Sequence, residues 1–325
     1  MTKKNLSKSI SPEDRKGELL KLKYPKPLPM RLDRWLVREL PEESRTRIQK
    51  FIDADLVRIN GIAAQAKTPL REGDEIELWI PPPEPLPYLK AEPMDLDVLF
   101  EDDHLIVINK EAGITVHPAP GNKDGTLVNG LIHHCPDLPG ISGELRPGIV
   151  HRLDKDTTGC IVVAKSQEAL KKLQLQIQNR TASRNYLGIV HGVPEGNEGM
   201  IMGSIGRHPL DRKKYAVVNN EKGKHALTHW KLEEKLGNYS LISFKLDTGR
   251  THQIRVHFSH LGHPIVGDKT YSRCKKLPIN LDGQVLHAIK LGLNHPITNE
   301  RLDFEAPIPQ IFEKLLTLLR NKITT

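Results

Sequence analysis

Hydrophobic positions between residues 28 and 80 recur first with a helical and then with a strand spacing. In "PMRLDRWLVRELP" the apolar residues Leu32, Trp35, Leu36 and Leu40 share one helical face, and Pro41 ends the run. "ESRTRIQKFIDADL" repeats the pattern with Ile48, Phe51 and Ile52, behind Ser44 as the expected N-cap. "LVRINGIAA" then predicts a hairpin, because Asn60-Gly61 suits a two-residue turn with positive φ at both positions. "GDEIELWI" alternates polar and apolar residues, as a half-buried strand does. Residues 28–80 are therefore expected to form a small α/β module.

"PPPEPLPY", residues 81–88, places five prolines in its first seven positions and can be neither helix nor central strand. Residues 81–93 are read as a stiff linker. From residue 94 the pattern becomes strand-rich. "HLIVINK", "GIVHR", "GCIVVAK", "NYLGIVHG", "HALTHWKLEEKL", "YSLISFKLDTG" and "HQIRVHF" are short β-branched runs at frequent intervals. Two helices interrupt them: "SQEALKKLQLQIQ", capped by Ser166, and "IPQIFEKLLTLLR" at the C-terminus. The fold class expected for residues 94–325 is α+β with a mixed, mostly antiparallel sheet. No repeat of fixed period is visible.

Composition narrows the function classes. The 325 residues are 38% hydrophobic and 27% charged, normal for a globular protein with a substantial core. No apolar run is long enough for a membrane helix, and the first residues lack the apolar stretch of a secretory signal. Cys135, Cys160 and Cys274 are odd in number, far apart and without a CxxC pair, so reduced thiols in the cytoplasm are expected and no zinc site. The formal charge of +8 suggests a polyanionic partner, most often nucleic acid. Residues 1–27 hold eight Lys or Arg against three acids, so they are read as a basic flexible tail that could rest on phosphates.

The densest candidate chemistry lies in "GIVHRLDKDTTGC", residues 148–160. It sets Arg152, Asp154, Lys155 and Asp156 between two apolar runs. Local pairing of Arg152 with Asp154 would be a purely structural explanation. An aspartyl-phosphate site fits poorly, because the residue order is wrong and no glycine-rich phosphate cradle exists; "GNKDGT" lacks the Gly-Lys-Ser/Thr ending. The third explanation is a catalytic aspartate beside a base-displacing arginine. His257, His260 and His263 stand at three-residue steps, but Gly262 and Pro264 break the helix a metal site would need, so they are read as structural or RNA-facing.

Five stretches together favour the third explanation. "VHRLDKDTTG", "IGRHPLDRKKYAV", "GKHALTHW", "LDTGRTHQIRVHFSHLGHPIVGD" and "LHAIKLGLNHP" resemble, in order and spacing, the RluA-type pseudouridine synthases over nearly all of residues 95–310. "MRLDRWL", "SRTRIQKFIDADLVRING" and "REGDEIEL" resemble the small RNA-binding module of a ribosomal small-subunit protein, shared with tyrosyl-tRNA synthetase. The pairing looks like the members that modify large-subunit ribosomal RNA. Glu111 stands where proline is common in the family, Thr158 where serine is usual, and Asn185 where a bulky or basic residue often precedes the tyrosine.

The resemblance implies an enzyme that isomerises uridine in RNA without a cofactor or a metal. Asp154 would be the catalytic carboxylate. Arg255, on what reads as a strand alternating Gln253, Arg255 and His257 against Ile254, Val256 and Phe258, would hold it ionised, because burial alone raises a carboxyl pKa. Tyr186 would stack on the extruded base, and Arg152 would fill the gap left in the RNA. Arg250 is the competing arginine, read as a loop or phosphate contact. In the N-terminal module Arg31, Arg34, Arg45, Arg47 and Lys50 would meet RNA phosphates, although nearby acids leave that module almost neutral. A transfer-RNA substrate, or a non-catalytic ribosome-assembly factor on the same fold, are the alternatives. No obligate protein partner is implied.

Overall fold

The computed structural model describes residues 18–40, 43, 45–81, 89–118, 122–139, 147–211, 214–219, 223–272, 277 and 279–322. Most of the basic tail, the expected Ser44 cap, most of the proline-rich linker and Cys274 lie outside the described residues. The chain forms two compact units, one from the elements up to Ile80 and one from those beginning at Val98.

The first unit contains β1 (Glu18–Lys23), β2 (Met30–Arg31), α1 (Leu32–Glu39), α2 (Arg45–Asp53), β3 (Val57–Ile59), β4 (Ile62–Ala63), β5 (Pro69–Leu70) and β6 (Glu75–Ile80). Its main sheet has the order β1-β6-β3-β4, and β2 pairs with β5. The helical stripe predicted from spacing is the core: Leu32, Trp35, Leu36, Ile48, Phe51 and Ile52 are all buried. Tyr24 packs edge-on against Trp35 at 5.5 Å. Asn60 and Gly61 have φ of 51° and 78°, and Ile59 pairs with Ile62 across the turn. One expectation is corrected here. Residues 18–23 belong to this unit and not to a flexible tail, because β1 pairs antiparallel with β6 from Glu18↔Ile80 to Lys23↔Glu75. "ELLKLK" hides a period of two inside a basic composition: Leu20 and Leu22 pack on the core, and Lys21 reaches Glu77 at 3.6 Å.

The second unit contains β7 (Val98–Glu101), β8 (Leu105–Lys110), α3 (Leu127–His134), β9 (Thr158–Ala164), α4 (Gln167–Gln178), β10 (Ser183–His191), β11 (Glu198–Arg207), β12 (Tyr215–Val218), β13 (Lys224–Leu236), β14 (Tyr239–Leu246), α5 (Gln253–His260), β15 (Leu286–Asn294), β16 (Arg301–Glu305) and α6 (Gln310–Asn321). Its ten-stranded sheet runs β12-β11-β13-β14-β10-β15-β9-β8-β7, with β16 beside β15. All its pairings are antiparallel except β15 with β9. The fold is thus α+β with a mixed, mostly antiparallel sheet. At the parallel junction Gly159 has φ of 106° and lies so close to Ala288 that a Cβ would strike its carbonyl.

Two segments read as strands are not. "GIVHR" is loop, meeting β9 through an isolated bridge from Ile149 to Val163 and a hydrogen bond from Val162 N to His151 Nε2. In "HQIRVHF" His252 is the N-cap of α5 and the other six residues, Gln253 to Phe258, lie within the helix, all buried. Burial on every side makes any two-residue alternation uninformative, so the short run fits strand and helix equally well. The helix is anchored at its start. Gln253 Oε1 accepts from Arg250 N at 2.9 Å and Thr248 Oγ1 at 2.8 Å, while its Nε2 donates to Leu227 O at 3.0 Å and Thr228 Oγ1 at 2.9 Å.

Phe258 fixes α5 against the sheet, edge-on to Phe244 at 4.8 Å and to Trp230 at 6.0 Å. It is fully buried. Phe258→Ala is expected to cost about 3–5 kcal/mol of stability. Denaturant unfolding checks this; a loss below about 1 kcal/mol would mean that α5 is not anchored by this ring.

Candidate active site

A cleft of about 510 Å³ opens in the second unit. Its walls are the loop from Ile149 to Asp154, the end of α4, the first residues of β10, the loop from Leu246 to Thr251 and the first turn of α5. Arg152, Asp154, Tyr186, Arg250 and Arg255 all line it, so five residues dispersed over about a hundred positions of sequence meet there. Arg31, Arg34, Arg45, Arg47 and Lys50 belong to the first unit.

Asp154 sits in a tight turn, with its carbonyl accepting from Thr157 N at 3.1 Å. Its side chain is 14% exposed, so it is reachable from the cleft. Oδ2 accepts from Arg255 Nη1 at 2.9 Å. Arg255 is held from behind. Its Nε and Nη2 donate to the two oxygens of Asp268 at 2.7 and 2.9 Å, a bidentate fork. Asp268 is fully buried and also accepts from the backbone N–H groups of Thr270 at 2.8 Å and Tyr271 at 3.1 Å. Arg255 also lies 5.2 Å from the Tyr271 ring centre. The result is a line of charge, minus–plus–minus, with Asp154 and Arg255 on the cleft wall and Asp268 behind them.

The electrostatics follow. Burial pushes the Asp154 carboxyl pKa up, but the positive charges of His252, Arg255 and Arg152, with the Arg255 hydrogen bond, outweigh it and hold the group below the usual carboxylate range. Burial also works against a charged Arg255, and the two carboxylates overcome it. Across the cleft, burial and the Asp154 charge push the Tyr186 phenol up to about 12 against the opposing pull of Arg184, so it stays neutral. Tyr186 is 6% exposed and serves two surfaces, the hydrophobic core and the cleft wall.

Several contributors were missed in the sequence. Asp268 stood within a quoted stretch, and a buried arginine needing a second counter-charge was the available signal. His252, at φ 57°, shares a hydrogen bond of 2.9 Å with the Tyr271 hydroxyl, which accepts from Tyr215 N. Lys110 lies beneath the Asp154 loop, 1% exposed, and its Nζ donates to the carbonyls of Glu111, Ile114 and Lys155 at 2.7–2.9 Å. Burial depresses its pKa to about 7 against the pull of Asp154, Asp156 and Glu111. Three acceptors use all three N–H bonds of an ammonium, tying the loop to the end of β8.

The remaining predicted residues have definite partners. Arg250 Nε donates to His225 O at 2.9 Å. Arg31 forms a fork onto Asp33 at 3.0 and 2.7 Å, and Arg47 meets Glu43 at 3.1 Å under the Phe51 ring. Arg34, Arg45 and Lys50 are exposed, Arg45 with Asp33 at 4.0 Å. His257 shares a 2.9 Å hydrogen bond with Thr228 Oγ1, and His263 donates to His191 O at 2.9 Å.

With this geometry in view, the comparisons with known proteins are specific. A family model described as RNA pseudouridylate synthase matches residues 104–260, and an S4 domain matches residues 30–76. The chain is 52% identical over 298 residues to an uncharacterized RNA pseudouridine synthase of Synechocystis sp., covering 91% of each. It is 44% identical over 298 residues to the ribosomal large subunit pseudouridine synthase D of Nitrosomonas europaea, covering 90% of this chain and 85% of that one. Among solved structures, human RNA Pseudouridylate Synthase Domain Containing 1 superimposes with a TM-score of 0.53 at 25% identity, over 70% of this chain and 97% of the human one.

Proposed function

Since the chain belongs to the RNA pseudouridine synthase family, we propose that it isomerises uridines of large-subunit ribosomal RNA with Asp154 as its catalytic carboxylate. The observation that carries the role of Asp154 is its ion pair with Arg255, itself locked onto Asp268. Pseudouridine formation breaks the N1–C1′ glycosidic bond and makes a C5–C1′ bond; the C5 proton leaves and N1 gains one. A carboxylate could attack the sugar, attack the ring or carry the C5 proton, and each route needs it ionised and reachable. Both conditions hold for Asp154.

The other roles follow from position. Tyr186, on the cleft wall, offers a flat face to an extruded uracil, worth about 1–3 kcal/mol of stacking. Arg152 is exposed two residues before Asp154 and is free to enter the space the base leaves. Arg250 borders the same opening as a phosphate contact. In the first unit the exposed Arg34 and Lys50, and Arg45 with only a 4.0 Å approach to Asp33, are the better phosphate contacts; Arg31 and Arg47 spend much of their charge on Asp33 and Glu43.

A ribosomal substrate is supported by relatives named ribosomal large subunit pseudouridine synthase D at 41–44% identity. It implies action in the cytoplasm; among the described residues no helix is long and apolar enough to cross a membrane. Deleting the gene and mapping pseudouridines across cellular RNA tests the substrate. The expected result is loss at one or a few positions of large-subunit ribosomal RNA. Intact ribosomal positions with losses in transfer RNA would reassign it.

A further inference from the structure

Five arginines line the cleft, and among the described residues one of them is buried without an anion. Arg255 has Asp154 and Asp268. Arg180 has Asp247 at 3.9 Å and is half exposed. Arg250 donates to His225 O, and Arg152 is exposed to water. Arg184, on β10, is 5% exposed, yet among the described residues it meets no carboxylate. Its Nη2 has a long 3.5 Å contact to Leu246 O, and its Nε has no acceptor at all. A desolvated guanidinium with so little compensation is costly unless a counter-charge arrives.

Among the described residues the neighbouring carboxylates are taken: Asp247 lies with Arg180 and His229. His151 is an adjacent titratable group. Val162 N donates to its Nε2 at 3.1 Å, which leaves the ring proton on Nδ1 and the imidazole neutral. Burial and the Arg184 charge together keep it so, down to about pH 3. The Asp154 carboxylate is committed to Arg255. Arg184 therefore waits on a cleft wall for an anion from outside.

We propose that Arg184 holds a backbone phosphate next to the uridine being modified. This rests on reading the cleft as the uridine site. Phosphate is the chosen partner because the backbone carries the only anionic groups of RNA; a uracil carbonyl would leave the charge uncompensated. The position is argued from register. Arg184 and Tyr186 are two residues apart on one strand, so they face the same side about 6.8 Å apart. Both line the cleft, so a base on Tyr186 would have its own sugar and phosphate within reach of Arg184. Arginine suits this task, since its planar fork offers two parallel N–H groups to phosphate oxygens.

The test is a double-mutant cycle between side chain and phosphate. RNA carrying the mapped target uridine is made with a neutral methylphosphonate at each flanking phosphate in turn. Affinity and rate are measured for wild type, Arg184→Met and Arg184→Lys. In wild type, one of the two substitutions should weaken affinity or kcat/KM about ten- to a hundredfold. In Arg184→Met that penalty should shrink to within about twofold, and Arg184→Lys should restore part of it. A merely structural arginine would lower stability and rate without making the phosphate penalty vanish. An undiminished penalty in Arg184→Met, or none at either position in wild type, overturns the proposal. If Arg184→Met does not fold, Arg184→Gln, which also removes the charge, carries the same decision. Because affinity is read separately, wild-type protein that binds but forms no pseudouridine would sink the proposed function and still decide the phosphate contact.

Discussion

Asp154→Asn should fold, bind RNA within about threefold of wild type, and lose pseudouridine formation by more than about a thousandfold. The substitution keeps the side chain's shape, and its amide oxygen can still accept from Arg255 Nη1 in place of Oδ2. Arg255 stays neutralised by the Asp268 fork, so no buried cation is orphaned. The change is thus confined to the negative charge and the basicity of one group. Thermal melting, anisotropy with labelled RNA and tritium release from uridine labelled at C5 read the three expectations separately. A variant retaining a tenth or more of wild-type activity would remove Asp154 from the chemistry. A variant that melts far below wild type would show the carboxylate to be a structural element of its loop.

The sequence was most informative where one period dominated. The Leu32-Trp35-Leu36 stripe and the Asn60-Gly61 turn became the core and hairpin of the first unit, because each element there has one buried and one wet face. It misled where burial surrounds an element. α5 is buried on nearly all sides, so alternation of Gln253, Arg255 and His257 was coincidental, and Arg255 reaches Asp154 from a helix. The pairing survived the wrong secondary structure because the guanidinium spans several ångströms on a long stem. Asp268, 13 residues further on, was harder to read. Its role comes from the third dimension, where the loop after α5 folds back beneath the arginine. Arg184 was illegible for a related reason: on an apolar strand an arginine reads as an edge residue, and only the folded cleft shows that it is buried without a carboxylate among the described residues.

Removing the guanidinium should move the pH dependence of the reaction in a direction the geometry fixes. In wild type the positive surroundings hold the Asp154 carboxyl below the usual carboxylate range, so activity should not fall on the acid side until well below neutrality. In Arg255→Gln the strongest hydrogen-bonding cation is gone. His252, itself pushed down by burial, and the exposed Arg152 remain. Burial then dominates and drives the Asp154 pKa upward. The expected result is a kcat/KM lowered by at least about a hundredfold at neutral pH, with part of the loss recovered as pH rises. The stability sign is consistent. A carboxyl whose folded pKa lies below its unfolded value contributes stability above the unfolded pKa and loses it as pH falls through the folded one. Arg255→Gln forfeits that contribution and leaves Asp268 buried with backbone N–H groups only, at about 3–5 kcal/mol. Arg255→Lys separates the two effects. An ammonium restores a charge beside one carboxylate but cannot supply three N–H groups to two carboxylates in a plane. Its acid limb should therefore fall between those of wild type and Arg255→Gln in rate measurements from pH 5 to 9. Superimposable acid limbs for wild type and Arg255→Gln would mean that Asp154 owes its ionisation to something other than this arginine.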